Sequence, residues 1–395
     1  MCGSPSSWAP APKPSKLAPV TKLLGREALV VHTGQHFSAG MSGHITPDVV
    51  LDAHDDRDIT RGHQLGNLVT ALDQVFGRHQ PDVVLVHGDT TSALAGALAS
   101  NATSTPLVHL EAGLRSFDRA MPEEHHRVLI DHLADLCCAP TPQARENLLA
   151  ERIAPERIEV TGNTIVEAVT TALPNEREQA HILDKLGLAR RGFVLATIHR
   201  PENADNPVNL AAILRQLAGS PVPVVFPLHP RTRQHIRAFG LTDLAGRLRL
   251  TEPLDYPVLL SLIRYAVGLI TDSGGIQEEA TVLKRPILIV RRSNERPEVE
   301  QAFGSRTLPS DEGISRTLAT WLRDASAINI RLANIPTPFG TAQRPVVSFM
   351  PCARGSAIAA NSSPSRYTRR STSTAAAQTP GPTASPATRH CVLDC

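Results

Sequence analysis

Residues 270–279 read I-T-D-S-G-G-I-Q-E-E and join the end of an apolar strand to a helix start through two glycines. Gly274 and Gly275 have no side chains to shield the backbone N–H groups of the first helical turn. Those donors lack partners within the helix and sit at the positive end of its dipole, so the turn suits phosphate oxygens. Ser273 precedes the glycines. Glu279 lies about one turn beyond, where a carboxylate could accept from ribose hydroxyls. The pattern reads as a nucleoside diphosphate site, although a strand, a tight glycine turn and a helix also occur together for purely local reasons.

Further segments bring acids and an imidazole. Asp89 follows the run 82–87, Glu111 follows 106–110, Glu123 and Glu124 open a helix after Pro122, and His199 follows 193–198. Each has a plain structural reading. Asp89 could cap the next helix. Glu111 could pair with Arg115 or Arg127. Acids after a proline favour a helix start whatever their function, and His199 could be a satisfied loop histidine. What unites these residues is their place at strand ends, where ligands of parallel sheets bind.

The elements that must position them alternate along the chain. Strands are expected at 28–32, 82–87, 106–110, 135–139 and 157–161, and again at 193–198, 222–227, 247–251, 267–271 and 286–291, with helical patterns between. Runs such as V-V-L-V at 83–86 are continuously apolar, as in a sheet covered on both faces. The fold class is therefore α/β, with two doubly wound parallel-sheet halves facing a cleft. An N-terminal Rossmann-type domain is expected over 1–170 and a second, nucleotide-binding one over 171–345. Residues 346–395 are rich in Ser, Thr, Ala and Pro and read as a disordered low-complexity tail.

Composition narrows the partners. Forty Lys and Arg against 38 Asp and Glu leave no basic footprint for nucleic acid. No apolar run approaches the ~20 residues of a membrane span, and the start lacks the pattern of a secretory leader, so a cytoplasmic protein is expected. The six cysteines form neither a C-x-x-C pair nor a disulfide framework, and the 16 histidines show no metal-ligand spacing. No metal site is expected.

The segments T-G-Q-H (33–36), H-G-D-T-T (87–91), H-L-E-A-G-L-R-S (109–116), P-E-E-x-x-R (122–127), T-G-N-T (161–164), I-H-R-P-E-N (198–203), D-S-G-G-I-Q-E-E (272–279) and E-R-P-E (295–298) occur in order. Together, over roughly residues 16–340, the chain resembles the non-hydrolysing UDP-N-acetylglucosamine 2-epimerases. The resemblance implies a GT-B-like fold, a homodimer, and interconversion of UDP-GlcNAc and UDP-ManNAc without a cofactor. It also implies that Asp89, Glu111, Glu123 and His199 are catalytic and that Lys16, Ser273, Gly274, Gly275, Glu279 and Arg296 contact the nucleotide sugar. A regulatory UDP-GlcNAc site is implied near Gln35, His36 and His229, with Asn67 where that family usually has an arginine.

The chain departs from the pattern at its ends. The family opens with an apolar strand ending in G-T-R-P-E; here Ala11 stands in place of the arginine and that strand is absent. Loss of an inner strand would leave neighbouring backbone groups unpaired, so weak folding or inactivity is expected unless a frame change in the coding DNA restores the motif. Two other readings compete: a GT-B glycosyltransferase using a UDP-sugar, which would not need the acid cluster, and an inactive UDP-binding remnant.

Overall fold

The computed structural model describes residues 16–34, 46–51, 60–340 and 390–394. Two parallel sheets form. The first comprises β1 (Ala28–His32), β2 (Val49–Val50), β3 (Val83–His87), β4 (Leu107–Leu110), β5 (Leu136–Ala139), β6 (Ile158–Val160) and a strand from the far end of the sequence. The second comprises β7 (Val194–Thr197), β8 (Val224–Pro227), β9 (Arg249–Thr251), β10 (Leu269–Thr271), β11 (Ile287–Val290) and β12 (Gly304–Thr307), ordered β12-β11-β10-β7-β8-β9. Every strand expected from the apolar runs is present. The short edge strands β2 and β12 were not expected.

Both faces of each sheet are apolar because helices cover both. In the first sheet Val84, Val86 and Leu107 pack with Leu68, Leu72 and Phe76 of the helix Arg61–His79. Leu85, Val108 and Leu110 face the other way, toward Leu17, Val20 and Leu24. In the second, Val194, Ala196 and Phe226 meet Leu210, Ile213 and Leu217 on one side, while Leu195 and Val225 meet Tyr256, Leu260 and Ile263 on the other.

The sequence reading is corrected at the first sheet. His390–Asp394, assigned above to a disordered tail, forms a strand, β13, lying between β1 and β3 in the order β2-β1-β13-β3-β4-β5-β6. It pairs parallel to both neighbours, with Val392 opposite Val30 on one side and Leu85 on the other. The inner position expected to be empty is therefore filled. H-C-V-L-D is too short to stand out from its polar surroundings, but a strand with partners on both sides satisfies its backbone groups regardless of flanking composition. Residues 346–389 lie outside the described residues.

The halves join at a tight crossing. Gly162 has φ +77°, and a side chain there would strike the Phe339 carbonyl, its added carbon lying 2.8 Å from that oxygen. Asn163 N–H donates to the same carbonyl at 2.9 Å, and Phe339 is fully buried.

Beneath the acidic loops lies a buried polar network. Asp131 bonds His109 Nδ1 at 2.6 Å and Arg115 at 2.8 Å, and accepts from Gly113 N–H at 3.0 Å. His109 Nε2 lies 2.9 Å from the Gly88 carbonyl, which ties the network to the loop carrying Asp89. Burial pushes the Asp131 carboxyl up, but His109 and Arg115 outweigh it and hold it below the usual aspartate range. Because its folded pKa is depressed, Asp131 contributes stability above its unfolded value near 3.9, and that contribution is lost as pH falls toward the folded value. Asp131→Asn is therefore expected to flatten the fall in thermal midpoint below about pH 4, measured by calorimetry across pH.

Candidate active site

The strand ends of the two sheets meet where acids from one half face a glycine turn from the other. Lys16, just ahead of the helix Ala18–Leu24, bridges them: its ammonium contacts Glu111 of the first half and Glu278 of the second. Asn163 Nδ2 bonds Glu111 and lies 3.4 Å from Glu278. Burial would lower the Lys16 ammonium, but Glu111 and Glu278 outweigh it and hold it above its ordinary pKa.

Glu111 sits at φ +68°, a conformation that a side-chain-bearing residue adopts at a cost of about 1–3 kcal/mol. Strain of this kind marks it as placed by the surrounding structure. His87 Nε2 is 3.4 Å away. Burial would raise the carboxyl, yet Lys16 first, then His87 and Arg296, hold it well below the usual range. The alternative partners weighed for it are taken elsewhere. Arg115 binds Glu151 and Asp131, and Arg127 binds Asp89 and Glu124.

Asp89 does not cap the following helix; Thr90 does, accepting from Ala93 N–H at 3.1 Å. Freed from that role, Asp89 turns to Arg127 with its side chain 31% exposed. Glu123 and Glu124 divide their work. Glu124 is buried and clamps the loop before it, accepting from Ser116 N–H and Phe117 N–H at 2.9 and 2.8 Å, whereas Glu123 is partly exposed on the first turn of the helix Pro122–Leu133.

In the second half, Ser273 caps the helix Gly274–Val282 without a side-chain hydrogen bond to it. The first-turn donors expected to hold phosphate are thus not satisfied by a capping side chain. A carbon added at Gly274 would lie 2.9 Å from Arg296 Nη1 and 3.0 Å from Glu295, so glycine allows the guanidinium to approach the turn. Arg296 is held by Glu278 at 2.7 Å and by Glu295. Glu295 also bonds Arg291 at 2.6 Å. Burial would raise the Glu295 carboxyl, but Arg296 and Arg291 hold it well down.

His199 is partly exposed on the same rim. Its Nδ1 lies 3.1 Å from Asp272, a wholly buried acid that also accepts from the backbone N–H groups of His199 and Arg200 and from Asn203. Such a carboxylate fixes the orientation of the ring, as in any imidazole oriented for proton transfer or charge stabilisation. The ring of His229, grouped above with a regulatory site, stands 5.7 Å from that of His199 and so lies beside the expected catalytic set. Gln35 and His36 lie outside the described residues. Glu279 is fully buried beside the Tyr256 hydroxyl.

Lys16, Glu111, Gly274 and Arg296 are thus joined through direct contacts and the shared Glu278, Gly88, next to Asp89, stands beside Glu111, and His199 is joined to Asp272, next to Ser273. Sequence reasoning missed the parts played by Asn163, Asp272, Glu278 and Glu295. All four stand inside the ordered motifs, so their positions were visible, but not their partners. Among the described residues no group of His, Cys, Asp or Glu is arranged to hold a metal ion, and no helix is long and apolar enough to cross a membrane.

Comparison with known proteins gives a single direction. A family model described as UDP-N-acetylglucosamine 2-epimerase matches residues 23–348. A UDP-N-acetylglucosamine 2-epimerase of Methanococcus maripaludis is 37% identical over 302 residues, covering 73% of this chain and 82% of the relative. A UDP-2,3-diacetamido-2,3-dideoxy-D-glucuronate 2-epimerase of Pseudomonas aeruginosa is 38% identical over 278 residues, covering 68% and 76%. Among solved structures, the Methanocaldococcus jannaschii UDP-GlcNAc 2-epimerase in complex with UDP-GlcNAc and UDP superposes with a TM-score of 0.72 at 32% identity, covering 85% of this chain and 95% of that one.

Proposed function

Because the chain belongs to the UDP-N-acetylglucosamine 2-epimerase family, we propose that it interconverts UDP-GlcNAc and UDP-ManNAc by eliminating UDP to 2-acetamidoglucal and adding it back. The observation that carries this reading is the Lys16 bridge, which sets Glu111 beside Glu278 and, through Arg296, beside the glycine turn.

The reaction explains the residue types. A sugar C2–H is not acidic, and breaking the C1–O bond to UDP first places positive charge next to C2 and makes the proton labile. Ser273, Gly274 and Gly275 receive the diphosphate, while Lys16, Arg296 and His199 stabilise the charge that builds on it as it leaves. Inversion removes a proton from one face of the sugar and returns it to the other, and Asp89, Glu111 and Glu123 supply acids on the two sides. Glu279, in the helix that starts at the glycine turn, accepts from the ribose hydroxyls. In this reading the N-terminal domain ends near residue 170, the UDP-binding domain follows, and the enzyme works as a cytoplasmic homodimer without a cofactor.

Incubation with UDP-GlcNAc in deuterium oxide, followed by NMR, tests the proposal. UDP-ManNAc is expected to appear with deuterium at C2 of both epimers. Binding of UDP without exchange would instead identify a binding remnant, and transfer only to an added acceptor would identify a glycosyltransferase. A second reading rests on the Pseudomonas relative, whose named substrate is a diacetamido uronate. Faster turnover of that sugar than of UDP-GlcNAc would establish it.

A further inference from the structure

We propose that the gap between β1 and β3 is a binding site for an extended apolar peptide, and that residues 390–394 are its ligand, held in cis and replaceable in trans. The gap is defined by two parallel edges. β1 offers Leu29 and Val30, and β3 offers Val84 and Leu85, opposite Cys391 and Val392. The strand reads into both layers of the domain. Cys391 is fully buried with Val84 and Val86 on one face. Val392 is fully buried with Val30, Leu85 and Val108 on the other. His390 is buried too, 3.9 Å from Glu27. Main-chain pairing gives such a site its affinity, and the pockets for alternate side chains give its specificity.

The occupant bears on the candidate active site. β3 leads directly into Gly88 and Asp89, and β1 into Thr33, whose hydroxyl bonds Ser92 at 2.8 Å in the helix that follows Asp89. Without a strand between them, β1 and β3 present unpaired edges, and their spacing is no longer set by a ladder. Residues 390–394 thus act as a positioning strand for the acidic loops, although more than 250 positions separate them from Glu111 in sequence.

Two measurements on the full chain test this, neither using catalysis, so their failure is separate from failure of the epimerase reading. Site-resolved alkylation by mass spectrometry is expected to show Cys391 reacting at least about 100-fold more slowly in buffer than in denaturant, as for a thiol in a cooperatively held strand. Val392→Asp places a charge in the core and is expected to lower the thermal midpoint by about 10 °C or more. Excess peptide T-R-H-C-V-L-D-C should restore at least half of that loss, whereas the same peptide with Asp at the valine should restore none. Alkylation of Cys391 at the denatured rate, or a V392D chain melting with the parent, overturns the proposal. If V392D does not fold, the alkylation result on the parent chain decides.

Discussion

Glu111→Gln is expected to lower turnover of UDP-GlcNAc, and C2 deuterium exchange with it, by about 10²–10⁴-fold while the protein stays folded. The substitution keeps the shape and the hydrogen bond from Asn163 but removes the charge that Lys16, His87 and Arg296 hold ionised. Lys16 retains Glu278 as a partner, so no buried ammonium is left alone and the thermal midpoint should move little. The two roles open to Glu111 then separate cleanly. A group that moves a proton loses kcat while UDP affinity, read by calorimetry, stays near that of the parent. A mere anchor for Lys16 would lose UDP affinity and stability together and leave exchange at saturating substrate nearly intact.

Glu278→Ala should act on the opposite quantity. This carboxylate is fully buried and serves Lys16 and Arg296 at once, with Asn163 nearby. Without it Lys16 keeps only Glu111 and Arg296 keeps only Glu295, and because alanine, unlike the glutamine of the first variant, leaves no polar group in place of the lost carboxylate, the cost is about 3–5 kcal/mol, which corresponds to a fall in melting temperature of roughly 6–20 °C for a domain of this size. Thermal unfolding measures it. Replacing Glu278 and Arg296 together with methionine should cost less than Glu278→Ala alone, because the desolvation of both charges disappears. A single variant as stable as the parent would mean that Glu278 does not hold the halves together through Lys16.

These expectations rest on contacts that the sequence made only partly legible. The strands around β3 and β10 announce themselves because helices on both faces force continuous apolar runs, and the loops that follow them are therefore found without coordinates. β12, G-S-R-T, escapes because an edge strand with polar, largely exposed residues carries no such run. β13 escapes for a different reason: its partners are separated from it by hundreds of residues, and no local signal reports a vacancy elsewhere. At the site, Asp89, Glu111 and His199 could be named from their positions, but partner choice could not. Whether Glu111 meets Arg115, Arg127 or Lys16 depends on where helices deliver those cations, and only the fold decides that. Asp272 and Glu279 show the same limit. Two acids of one motif end up with different duties, one orienting His199 and the other packed against Tyr256.

The central place of β13 also sets a schedule for biosynthesis. A ribosome delivers β1, β3 and the helices that flank them long before it delivers residues 390–394, so the interior of the first sheet stays incomplete while the entire second sheet is being made. During that interval two strand edges stand open on a nascent polypeptide, a hazard for association with neighbouring chains. Products that stop short of residue 390 should consequently be the aggregating species in a cell.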